Sequence, residues 1–495
     1  MGFKEDADFA RYVSMGATGT AAVARCLRDR HGHRPIELER YAMANKVWQT
    51  KIKRLRLPDL LCVQCGRRIE SRAKSTLAVV LSDSDTPGRE WHAGGVRNHD
   101  LYAFVRADLS SFPPRVGQPV FFSAAALYNA LTYARRGDRK AASQGAEITV
   151  SWPVWVPARS GWFRGIDAQG RIACEFDDGS RLAYWQWRDW PVRRTYLEPD
   201  ARIEAGDTIV AGVVAPPGPL ICPGAVWDVE ADLRVEDATS VYAAVKGAGI
   251  RNDDRLLDRL VELTERRGID WRVSLEAHGS LARLDPGTWT EAVSTIALDS
   301  ERSAEQRMEA VFVLSEIPSD QAADALAKVA ALGNEEATEL RAAAVWGLGR
   351  GVHPRPDLLL PFTVDQADLV GLHAIVALQT IPDELLPALA DWLQADDRHA
   401  ATSATLLARH EQVPVLLTAA RSGGRARLWA LQALGRLQPE AVQAKAPGGL
   451  ADSLRRELEP MWIRHDDWLL GKAQEGLQAL AVQTVRFDPV ELTAG

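Results

Sequence analysis

The chain has 495 residues, 46% of them apolar and 25% charged, with a formal net charge of −7. A chain of that length has room for two to four domains, each able to bury its own core. No apolar run approaches the ~18 residues of a membrane helix. The acidic start MGFKEDADF lacks the core of a secretory signal. Five scattered cysteines read as thiols of a reducing compartment, with the cytoplasm as the expected location.

Charge is spread unevenly. From Arg11 to Lys74 there are 15 Lys/Arg against 5 Asp/Glu, a local +10, so the remainder carries −17. A basic segment on an acidic chain suggests a local surface for a polyanion, or else a contact with an acidic neighbouring domain.

In chain order, residues 18–31 predict a helix with an apolar stripe at Ala21, Val23, Ala24 and Leu27, stopped by Gly32. Pro35 opens a strand, PIELER, with Glu37 and Glu39 on one face. Lys51 to Lys74 then reads as two strands joined by a turn at Gln64-Cys65-Gly66. Alternation places Leu55, Leu57, Asp59 and Leu61 on one face of the first strand, and Glu70, Arg72 and Lys74 on one face of the second. Antiparallel pairing would bring Asp59 near Glu70 with cations beside them. Two carboxylates and a nearby cation suit a Mg²⁺ or Mn²⁺ ion that activates water against a phosphodiester. The same pattern also describes an ordinary solvated basic hairpin. A Ser82–Gly95 loop, a strand over 100–108, and a strand PVFFSAAAL running into a helix over 124–134 complete an expected mixed sheet with helices against it.

The order helix, strand, Pro58-Asp59 hairpin, Glu70, Arg72 and Lys74, then an apolar strand, resembles the PD-(D/E)XK, or restriction-endonuclease-like, nucleases over residues 16–135. The resemblance implies a metal-dependent endonuclease, acting on DNA rather than RNA, with Asp59, Glu70, Arg72 and Lys74 catalytic. It also implies that Asp59, Glu70 and an upstream carboxylate, Glu39 or Glu37, hold the metal. The family's lysine belongs two residues after the glutamate, where this chain has Arg72. Arginine stays protonated and cannot act as a base, so Lys74 is the candidate to replace it. The Cys62-x-x-Cys65 insert is similar to the cysteine pair of zinc-bearing methyl-directed restriction nucleases. It is half of a tetrahedral site that Cys26, His31 or His33 would have to complete, and two structural thiols are the preferred reading over Zn²⁺. Asp100 reads as a capping residue or a further ligand.

Residues 149–245 hold six tryptophans between Trp152 and Trp190 and recurrent turn signals at Gly170, Gly179 and Gly206. They predict a small all-β barrel with a distant similarity to barrel-sandwich hybrid modules. No Met-Lys-Met turn marks it as a lipoyl or biotinyl carrier. Aromatics near Arg188, Arg193 and Arg194 suit either base stacking or a tryptophan core with an arginine rim.

From about residue 246 the sequence is helical and repetitive. RMEAVFVL, RAAAVWGL, GLHAIVAL, ATSATLLA and RLWALQAL carry Ala310, Ala344, Ala374, Ala404 and Ala430, spaced by 34, 30, 30 and 26 residues. Such units resemble short HEAT repeats and predict an α-solenoid capped by the stretch around Met461, Trp462, Trp468, Leu469 and Leu470. The expected plan is a nuclease-like α/β domain (1–148), a β-barrel (149–245) and a helical repeat domain (246–495). It implies nucleic acid as one partner and a protein on the solenoid, with no membrane. Bacterial defence against foreign DNA is one setting the resemblance implies; an inactive nucleic-acid-binding adaptor is the alternative.

Overall fold

A computed structural model describes residues 6–38, 50, 52, 55, 57–84, 90–92, 96–110, 115–142, 145–184, 189–216, 218–333, 337–446 and 449–462. They divide into two units, one ending at Ser280 and one beginning at Leu281, with Thr50 and Ile52 grouped with the second.

The first unit opens with helix α1 (Asp6–His31). Val23, Ala24 and Leu27 form its buried stripe against Leu60, Ile69, Leu101, Ala103, Val105 and Phe121. Gly32, at φ +66°, ends the helix. His33 N–H then donates to Leu27 O at 3.0 Å, turning the chain back toward the sheet. That sheet contains β1 (Pro35–Glu37), β2 (Leu60–Cys62), β3 (Arg68–Lys74), β5 (Leu101–Asp108), β6 (Arg115–Val116) and β7 (Val120–Ser123). The order is β1-β2-β3-β5-β6, with β7 also paired to β5. It is mixed: β3 runs parallel to β5, and the other pairs are antiparallel. Helix α1 lies directly on β3, where a Cβ on Gly19 would stand 2.3 Å from Ala73 Cβ.

The opposite face of the sheet carries Tyr102, Phe104 and Phe122, which pack with Val79, Leu81, Val150 and Trp152. The latter come from a second sheet, β4 (Val79–Ser84), β9 (Gly145–Trp152) and β8 (Arg135–Ala142), in the order β4-β9-β8. The sequence pattern predicts a loop from Ser82 onward and signals neither β8 nor β9. RRGDRKAA has no alternation of apolar residues, and its pairing with β9 is tertiary information. The helix expected over 124–134 is shorter, α2 (Ala124–Asn129) followed by a 3₁₀ turn at Leu131–Tyr133. Ser123 caps α2 by accepting from Ala126 N–H.

The tryptophan-rich stretch forms small antiparallel sheets. One joins β10 (Val154–Trp155), β16 (Ala211–Gly212) and β14 (Arg194–Thr195), in the order β10-β16-β14. The other has strands β11 (Gly161–Ile166), β12 (Ile172–Phe176), β13 (Arg181–Tyr184) and β15 (Ala201–Ile203), ordered β13-β12-β11-β15. Their core is Trp155, Phe163, Ile172, Cys174, Phe176, Ile203 and Val210. Helices Val229–Leu233 and Ala238–Ile250, capped by Asp228 and Asp237, follow in the same unit.

The second unit is helical. Helix Ala304–Leu314 packs on Pro286–Leu298, Asp320–Ala330 and Thr338–Arg350, and Thr338–Arg350 packs on Asp368–Ala377. Further on, Asp397–Arg409 and Val413–Arg421 both pack on Gly424–Gly435. Ala310, Ala344, Ala374, Ala404 and Ala430 are all buried, which small residues at close helix crossings permit. Arg307, Arg341 and Arg427 open their repeat patterns and donate to Ala297 O, Ala330 O and Ala420 O, near the ends of preceding helices. A guanidinium there satisfies carbonyls that helix ends leave unpaired. Met461 and Trp462 lie in the last described helix, Asp452–Trp462; Trp468, Leu469 and Leu470 lie outside the described residues. No helix among the described residues is long and apolar enough to cross a membrane.

Candidate functional site

Strand β2 is shorter than the sequence pattern suggests. Leu55, Leu57 and Asp59 precede it, because Pro58 has no N–H to give a ladder. The hairpin register pairs Leu60 with Ile69 and Leu61 with Arg68, and Asp59, in the bend just before the ladder, is where one further step of that register would face Glu70. Leu60 and Ile69 point into the core beneath α1. By alternation Asp59 and Glu70 belong to the other face, together with Arg72 and Lys74.

The contacts agree with that placement. Asp59 Oδ2 accepts from Ser71 N–H at 2.7 Å. Glu70 Oε1 pairs with Arg72 Nη2 at 2.7 Å, with Glu70 18% and Arg72 42% exposed. Glu70 first, then Asp59 and Glu147, hold the Arg72 guanidinium firmly protonated. Arg72 therefore lies within electrostatic reach of both candidate ligands. Glu147, on β9, is an acid that no motif in the sequence singles out. Lys74 is half-buried, and burial, reinforced by Arg72, pushes its ammonium pKa down. Glu37 sits in β1 opposite Leu60, and Glu39 lies outside the described residues. Asp100 is almost fully buried; its carboxylate accepts from Arg68 N–H at 3.0 Å and Arg97 N–H at 2.7 Å. Its role is to hold the loop before β5.

The turn of the same hairpin carries a second constellation. One ligand atom each from His33, Cys62, Cys65 and Cys222 lies within 4.8 Å of the others. Cys65 Sγ is 3.6 Å from His33 Nδ1, and Cys62 Sγ is 3.9 Å from Cys222 Sγ. His33 Nε2 bonds to Leu220 O at 2.9 Å, and Arg34 N–H donates to Cys62 Sγ at 3.4 Å. The Cys65 thiol, followed by His33, pulls the Cys62 pKa down, whereas that pairing and burial drive Cys65 up. This donor set can hold a metal. Of the three residues expected to complete the pair, His33 is present, while His31 and Cys26 are not members. Cys222 escapes sequence reasoning because it lies 160 residues beyond Cys62.

Segment Leu220–Trp227 is held here by several bonds. Cys222 N–H donates to His31 O at 2.7 Å and Trp227 N–H to Gln64 O at 3.2 Å. Trp227 Nε1 donates to Asp232 at 2.7 Å, and Arg97 pairs with the same carboxylate at 3.2 Å. Buried Arg68 reaches Ser240 Oγ at 3.0 Å.

In the tryptophan-rich sheets, Trp152 and Trp155 are core residues, whereas Trp162 is exposed and flanked by Arg164 and Arg202. Those arginines are committed to Asp200, Glu175, Asp177 and Glu204. Arg193 and Arg194 are exposed, and Arg188 lies outside the described residues. No family model and no curated protein matches this chain.

Proposed function

We propose that the chain is a metal-dependent nucleic-acid phosphodiesterase of the restriction-endonuclease-like kind, acting on DNA. The observation that carries this reading is the pair of contacts at the β2–β3 hairpin, where Asp59 accepts from Ser71 N–H and Glu70 pairs with Arg72. Asp59 and Glu70 fit a hard divalent cation as carboxylate donors once Arg72 turns from Glu70 toward a phosphate. Mg²⁺ or Mn²⁺ bound there supplies Lewis-acid stabilisation and an activated water. Arg72, always charged, holds a non-bridging phosphate oxygen. Lys74, half-buried on the same strand face, donates from its ammonium to a phosphate oxygen and offsets the charge that builds there. Surrounding basic residues attract the sugar-phosphate backbone.

The helical unit reads as a HEAT-like solenoid, supported by the buried alanines and the repeated arginine contacts, and offers a surface for a protein partner or for the substrate. Defence against foreign DNA is a setting in which such an arrangement would serve.

Purified chain is to be incubated with plasmid, linear duplex, single-stranded DNA and RNA in Mg²⁺ or Mn²⁺, beside Asp59→Asn and Glu70→Gln. Cleavage by wild type that both variants lose supports the proposal. Cleavage unaffected by either variant, or none on any substrate, refutes it. The Arg72–Glu70 ion pair favours a second reading, a nucleic-acid clamp that does not cut. Under that reading duplex binding survives Glu70→Gln and no product forms.

A further inference from the structure

We propose that His33, Cys62, Cys65 and Cys222 bind one Zn²⁺ in a closed structural site that fastens segment Leu220–Trp227 to the hairpin turn. Zn–S bonds of about 2.3 Å and a Zn–N bond of about 2.05 Å, at tetrahedral angles, put two sulfurs about 3.8 Å apart and a sulfur and a nitrogen about 3.6 Å apart. Two of the six edges are 3.9 Å for Cys62–Cys222 and 3.6 Å for Cys65–His33, and all six lie within 4.8 Å. A disulfide would bring two sulfurs to about 2.05 Å, yet all five cysteines are free.

The donors name the metal. Three thiolates and an imidazole select zinc over magnesium or calcium, which prefer oxygen. His33 is already oriented as a ligand, because donation of Nε2–H to Leu220 O leaves Nδ1 as the ligating nitrogen. Four protein donors fill a tetrahedral site and leave no place for a reactive water, so the ion's role is structural.

The consequence is topological. His33 follows α1, Cys62 and Cys65 frame the turn, and Cys222 arrives 160 residues beyond Cys62. A bond between them closes a very long loop, the kind of closure that most restricts the unfolded chain. Cys62 lies three residues after Asp59 and Cys65 five before Glu70, so the ion also stiffens the hairpin that carries the two acids.

The test uses the full chain, purified without an affinity tag under reducing conditions. Elemental analysis is expected to find one Zn²⁺ per chain in wild type and in Cys26→Ser. Cys222→Ser and His33→Gln are expected to lose zinc to a chromophoric chelator at least about 100-fold more readily, since even the loss of a group that only orients a ligand costs about 10–100-fold. Substituted Co²⁺ should give tetrahedral d–d bands and thiolate charge transfer, the latter weakened in Cys222→Ser. Chelation of wild type should raise hydrogen exchange across 220–227 and 60–70. Zinc held equally well by Cys222→Ser overturns the proposal. Should that variant fail to fold, wild type decides: exchange at 220–227 that is unchanged by zinc removal overturns it as well.

Discussion

Gly66→Ala is expected to cost far more than Gly32→Ala, although both glycines have nearly the same backbone conformation. Their φ angles are +70° and +66°. Placing an alanine in the left-handed region costs roughly 1–2 kcal/mol. For Gly32 that is the whole cost, because nothing lies within 4 Å of the point a Cβ would occupy. For Gly66 the new Cβ would stand 2.4 Å from Trp227 Cδ1 and 2.5 Å from Cγ. The indole cannot retreat. Its far edge is pressed on Gly247, where a Cβ would meet Cη2 at 2.4 Å, and Nε1 is tied to Asp232. Forced overpacking of this kind adds about 1–3 kcal/mol. The total for Gly66→Ala is therefore about 2–5 kcal/mol against about 1–2 for Gly32→Ala. Urea unfolding gives the overall cost, and hydrogen exchange of peptides covering 60–70 and 220–227 gives its location. Equal destabilisation by the two substitutions, or exchange that rises away from both peptides, would refute the packing of Trp227 on the turn.

Arg341→Ala should destabilise the helical unit by about 1.5–3 kcal/mol, the range for a hydrogen bond from a charged donor, because its Nε donates to Ala330 O at 2.8 Å and its guanidinium pairs with Asp365. Arg341→Lys, lacking the fork, should recover only part of that; unfolding of the two variants side by side checks it. His278 and His373 have pKa values lowered by burial. Their unfolded forms take up protons near pH 6.5 and the folded forms only at lower pH, so their contribution is full above about 6.5 and is lost as pH falls below it. His278→Gln should flatten the drop in urea midpoint between about pH 7.5 and 5.5, and an unchanged slope would count against burial as the cause.

What can be read from the sequence is local. Gly32, Pro58, the turn at Gly66 and the Glu70-x-Arg72-x-Lys74 alternation all follow from short-range rules of φ, pleat and donor count. The five buried alanines are legible because a repeat states the same fact several times. Sequence order hides what tertiary pairing supplies. Strand β9 lies between β4 and β8, and Glu147 comes toward Arg72 on it. Cys222 looks like a stray thiol until the chain between Cys62 and Leu220 folds back. The arginine at the head of three repeat patterns is visible, and its meaning is not, because a carbonyl acceptor leaves no trace in residue identity.

Arg72→Ala separates the two readings of the acidic pair. The Arg72–Glu70 bond at 2.7 Å looks like an obstacle to a metal ion, since the guanidinium occupies a carboxylate oxygen that a cation would need. Its strength says otherwise. Arg72 is 42% exposed and Glu70 18%, and an ion pair with one partner open to water is worth on the order of 1 kcal/mol. Removing such a competitor can tighten divalent binding by no more than about fivefold, the factor that 1 kcal/mol corresponds to. Mn²⁺ titration of Arg72→Ala followed by electron paramagnetic resonance should give a gain of that size, together with weaker DNA binding and a shallower salt dependence as one phosphate contact is lost. A gain of about 100-fold or more, far beyond what a half-exposed pair supplies, would mean that Arg72 is a resident substitute for the metal, and the clamp reading would replace the nuclease. Tighter DNA binding in the variant would remove Arg72 from the phosphate altogether.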